Sequence, residues 1–107
     1  MPKLIDFFNV AELISVEKLS DMSDEKWNWR IDYVGYQCEL FILESEEENK
    51  GKRYIYFTEH HDYLKTGYGI YSIDDDIITM KTKNSIYKFK IIYKWGEFYV
   101  WTLWQKR

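Results

Sequence analysis

From residue 53 onward, apolar and polar side chains recur with a period of two, and aromatic rings fill many of the apolar places. Residues 86–94 show it most clearly: Tyr87, Phe89, Ile91 and Tyr93 fall on one side, with Lys88, Lys90 and Lys94 on the other. Successive side chains of a strand point to opposite faces, so this period marks a half-buried strand and not a helix. Aromatic residues make up 20% of the chain, and such rings fit a pleated surface well.

The same reading places strands at 53–59, 68–73 and 77–82, with turns at Asp74–Asp76 and at 83–85. A polar connection covers 60–66. Residues 98–104 close the series after a turn at 95–97, and they are apolar on both faces, which argues for a central or covered strand. Upstream, Trp27, Trp29, Ile31 and Tyr33 alternate with polar residues, and beyond Gly35 the apolar set moves to Tyr36, Cys38, Leu40 and Ile42. A phase shift at a glycine implies a bulge or a tight turn, here between strands at 27–33 and 36–44. The first segment differs. Leu4, Phe7, Phe8, Ala11 and Ile14 stand at helical spacing, which predicts an amphipathic helix over residues 3–16, with Pro2 suited to its first turn. The expected fold is therefore mainly β (α+β): one domain over 1–107, with the N-terminal helix packed on an antiparallel meander of six or seven strands, curled or closed into a small barrel.

Composition narrows the function classes. A lone cysteine, Cys38, excludes an internal disulfide and a cysteine-based zinc site. No apolar run approaches the length of a membrane span, and the start of the chain lacks a signal-peptide core, so a cytoplasmic protein is expected. Charge is uneven. Residues 1–50 carry 12 acids against 5 bases, whereas residues 51–107 carry 6 against 10.

Few motifs carry chemistry. Glu59-His60-His61-Asp62 offers metal-ligating groups, but neighbours in an extended segment diverge, and no further histidine completes a site. Asp74–Asp76 lacks the spacing of a calcium loop. Gly67-Tyr68-Gly69 precedes a strand, so it is a hairpin signal without phosphate-binding character. Cys38 alternates with Tyr36 and Leu40 and is expected to face the core. No cofactor is implied. The lysines of 88–94 alternate with rings, so amines and rings lie on opposite faces and direct nucleic-acid binding is not expected.

The acidic first half is the more informative feature. Asp21, Asp24 and Glu25 precede the first alternating segment, and Glu44, Glu46, Glu47 and Glu48 crown a hairpin. With Tyr68 as an exposed ring, these residues suit docking to a protein with a basic surface. The leading expectation is a non-catalytic binding or inhibitor protein, by analogy with immunity proteins and phage inhibitors of nucleic-acid-acting proteins. The alternatives are a small-molecule-binding barrel walled by Trp29, Tyr54, Tyr56, Tyr71 and Trp101, and, last, an enzyme using His60 or His61.

Overall fold

A computed structural model describes residues 2–19, 28–46, 50–59 and 62–93, the side chains of residues 28, 29 and 93 excepted. Seven antiparallel strands form one curled sheet. They are β1 (Lys3–Lys18), β2 (Gln37–Glu44), β3 (Arg53–Glu59), β4 (Asp62–Lys65), β5 (Gly69–Asp74), β6 (Ile77–Thr82) and β7 (Ser85–Tyr93), with a 3-10 helix at Asn28–Tyr33 before β2. The order across the sheet is β2-β1-β7-β6-β5-β3-β4, and an added β2–β3 pairing joins the first strand of that order to the last but one.

The alternation over 53–59, 77–82 and 86–94 appears as β3, β6 and β7, and 36–44 as β2. The expected helix over 3–16 does not form. That segment is β1, a 16-residue strand. Register explains the misreading. Against β2, β1 carries an extra residue between Leu4 and Asp6 and another between Phe8 and Ala11; against β7, it carries one between Leu13 and Ser15. A bulge adds one residue to a strand, so same-face neighbours separate by three positions instead of two. Thus Leu4 and Phe7 pair with Leu43 and Phe41 of one β2 face, while Phe8 and Ala11 pair with Leu40 and Cys38 of the other. Repeated steps of three resemble a helix in one dimension.

The expected strand over 27–33 is also replaced, by the 3-10 helix. With three residues per turn, positions three apart share a face. Arg30 and Tyr33 accordingly turn toward the sheet, where Arg30 Nε donates to the Tyr87 hydroxyl at 2.9 Å and the Tyr33 hydroxyl lies 2.8 Å from the Tyr63 carbonyl oxygen. Ile31 is left exposed. Part of the connection expected at 60–66 is β4. The strand expected at 98–104 lies outside the described residues.

The inner face is filled by side chains. Leu13, Leu40, Ile42, Ile55, Phe57, Leu64, Ile78, Met80 and Phe89 are fully buried, with Phe57 and Phe89 rings 5.1 Å apart. Burying such a side chain contributes about 1.5–3 kcal/mol.

The curl depends on one corner. β4 pairs with β3, while β5 pairs with β6 and touches β3 only through Arg53 and Gly69. The chain therefore changes partner between Lys65 and Gly69. Thr66, buried at this point, keeps the ladder satisfied: its N–H donates to the Ile55 carbonyl and its Oγ1 accepts from the Ile55 N–H, both at 2.9 Å. Gly69 passes so close to β6 that a Cβ there would lie 2.1 Å from the Lys81 carbonyl oxygen. Backbone cannot yield to that contact without shifting the β5–β6 ladder. Gly69→Ala is therefore expected to lower stability by about 3 kcal/mol. Gly67→Ala, whose Cβ would meet nothing nearer than Thr82 Cβ at 3.9 Å, should change it by less than about 0.5 kcal/mol. Urea unfolding of the two variants checks both; equal midpoints would show that the corner does not need a glycine at 69.

Candidate protein-docking face

Because Leu40 and Ile42 turn inward, Phe41 and Leu43 turn outward, and the same parity sets Tyr54 and Tyr56 on the outside of β3. Cross-strand register then lines up a row of rings over four strands. Phe7 of β1 lies 4.8 Å from Phe41, Phe41 lies 6.3 Å from Tyr56, and Tyr56 stacks on Tyr63 of β4 at 5.2 Å. Phe7, Phe41 and Tyr56 are half-buried, and Tyr63 is 54% exposed. A second row runs beside it: Leu4, Leu43, and Tyr54 capped edge-on by Tyr68 at 5.7 Å. Lys65 Nζ sits over the Tyr54 ring at 4.9 Å. Burial raises the pKa of the Tyr54 hydroxyl, with Tyr68 adding to the effect.

One end of this face is acidic. Glu39 pairs across to Thr58, and Gln37 Nε2 donates to Glu12 Oε1 at 2.9 Å. Next to them a groove of ≈ 400 Å³ is lined by Asn9, Gln37, Cys38, Glu39, Thr58 and Glu59. Cys38 is buried, as its alternation predicts, and its thiol pKa is pushed up to about 11, first by desolvation and then by the nearby Glu59 and Asp62 carboxylates. A thiol so placed is not an activated nucleophile. Asp62 also holds the Tyr33 hydroxyl, whose pKa is raised by burial and by that carboxylate.

Two of the acidic residues expected at a docking surface are among the described residues. Glu44 is bound to Arg53 at 3.1 Å, and Glu46 is exposed on the β2–β3 connection. Asp21, Asp24, Glu25, Glu47 and Glu48 lie outside the described residues. Tyr68 is exposed at a bend, as expected, and covers Tyr54. Of the residues expected to wall a cavity, Tyr54 and Tyr56 are on the outer face and Tyr71 packs at the edge of the core, so these three do not converge. Trp101 and the Trp29 side chain are not among the described groups. The same holds for His60 and His61; among the described residues, no three His, Cys, Asp or Glu side chains are grouped to hold a metal ion. Phe7, Phe41, Tyr63 and Glu39 escaped the sequence reading. The signal for Phe41 is present in residues 38–43, where Phe41 and Leu43 make the second face apolar as well. Among the described residues no helix is long and apolar enough to cross a membrane.

No family model matches the chain, and neither the curated proteins nor the solved structures contain a match to it.

The shifted thiol has a pH consequence. A free thiol in the unfolded chain ionises near its ordinary value of 9, whereas folded Cys38 holds its proton to about 11. The folded state thus binds the proton more tightly between these limits, and stability conferred below pH 9 is lost as pH rises toward 11. Melting temperature should fall over that window, less steeply in Cys38→Ala. Native Cys38 should react with a disulfide reagent at pH 8 far more slowly than in urea; equal rates would show an accessible, ionisable thiol.

Proposed function

We propose that this chain is a non-catalytic binding module that docks the outer face of β1–β4 on a protein with a basic surface. The observation that carries it is the contact between two features: a row of rings, Phe7, Phe41, Tyr56 and Tyr63, and the carboxylate-lined groove at its end. Monomeric surfaces rarely hold a contiguous apolar patch without a use for it. Aromatic rings serve as anchors at interface centres, where desolvation is complete. The groove bearing Glu39 and Glu59 suits a lysine or arginine side chain. Carboxylates at an interface margin steer a cationic partner and raise its association rate. A nucleic-acid-acting protein presents such a cationic surface, which makes inhibition by occupancy the natural mode of action.

The experiment is co-purification from the native host, followed by titration of the recovered basic protein. Tyr63→Ala is expected to weaken binding about tenfold or more, through faster dissociation. Glu39→Lys should act mainly on association, and its effect should shrink as salt rises. Recovery of no basic protein, or equal affinity for both variants and the natural chain, would sink this reading.

A further inference from the structure

The two outward sides of the β4–β5 corner are treated differently. β4 is covered, since the 3-10 helix lays Tyr33 against the Tyr63 carbonyl and the Asp62 carboxylate. β5 is not. One of its sides is paired with β6 from Gly69 to Asp74, but on the other only Gly69 meets β3, opposite Arg53. In an antiparallel strand, alternate residues direct N–H and C=O to the same side. Tyr71 and Ile73, in step with Gly69, therefore aim their backbone groups at the open side, and no described residue bonds to them there. Ile70, on this strand, is 81% exposed, the most of any large apolar side chain described, and Ile73 is exposed as well. Neither a lysine nor a proline guards residues 69–74 against pairing.

The charges beside this edge are arranged head to tail. At its Gly69 end lie Lys52 and Arg53, lining with Gly51 and residues 68–71 a cleft of ≈ 490 Å³. At its other end is the tip of the β5–β6 hairpin, Asp74-Asp75-Asp76, all three exposed. Asp75 holds φ 55°, which aspartate tolerates in a tight turn.

We propose that β5 pairs with β5 of a second copy of this chain, antiparallel about a two-fold axis. That arrangement places each copy's Asp74–Asp76 tip in the cleft beside the other copy's Lys52 and Arg53, so the contact is charge-complementary with itself. Isologous contacts of this kind close at two copies. The incoming strand takes the place that β3, beginning only at Arg53, leaves beside residues 70–74. A contact of one short strand is small, so the dimer is weak and forms at about 10 μM to 1 mM.

Sedimentation velocity and native mass spectrometry of the full chain across that range test it. The natural chain is expected to pass from monomer to dimer. Ile73→Pro removes an outward N–H that β6 does not use, so it should leave the melting temperature nearly unchanged and weaken the dimer at least about tenfold. Asp75→Asn/Asp76→Lys and Lys52→Glu should each weaken self-association, and mixing the two should restore a dimer containing one of each. Tyr63→Ala, on the outer aromatic face, should have no effect, which separates this contact from the proposed docking face. A natural chain that stays monomeric to about 1 mM would overturn the proposal. So would a dimer insensitive to folded Ile73→Pro, or a mixture of charge variants that fails to associate.

Discussion

Residue 69 lies so close to the Lys81 carbonyl oxygen that only a glycine fits there, and the curl of the sheet runs through that contact. On one side of it the chain belongs to β3, and on the other to β6. A sheet that changes partner in mid-chain must keep its backbone groups satisfied through the change. Thr66 does so by offering its hydroxyl oxygen to the Ile55 amide while its own amide bonds back to Ile55. The inner face then wraps around one core in which Phe57, Phe89, Ile42 and Met80 meet. At the 3-10 helix the buried Tyr87 hydroxyl finds Arg30, and Tyr33 covers the edge of β4.

Curling the sheet inward fixes what its outside presents. Strands whose alternate positions are all apolar must display one apolar set once the other is buried. In β2 that set is Phe41 and Leu43, and in β3 it is Tyr56, with Tyr54 buried beneath Tyr68 and Lys65. Register brings these together with Phe7 and Tyr63, while Glu39 of β2 and Glu59 of β3 lie at one end of the row. The proposed docking face and the proposed β5 contact lie on separate parts of the sheet. They also use different physics: desolvated rings with steering carboxylates in one case, backbone pairing with reciprocal charge in the other.

Period-two patterning holds where a strand is unbroken, and β2, β3, β6 and β7 were legible on that ground, as was the inward position of Cys38. In β1 the extra residues at its register shifts convert steps of two into steps of three, and the pattern reads as a helix. In residues 28–33 alternation is present in sequence but the 3-10 helix groups Arg30 with Tyr33 instead. The candidate face was half legible. Aromatic surplus and acidic bias are visible in the sequence, but Glu39 and Glu59, which line the groove, stand apart from the dense acidic runs.

By itself, then, the sequence determined an antiparallel sheet, most of its strands, its turns at Gly35 and Asp75–Asp76, and a surplus of aromatic rings. These follow from local sterics: side chains alternate along a strand, and few residues tolerate positive φ. Tertiary structure alone decided that residues 3–18 form a strand, that the chain changes partner at Gly69, and that Glu39 and Glu59 flank one groove beside Tyr63. Each of those depends on register between segments far apart in the chain, where one added residue moves a side chain to the opposite face.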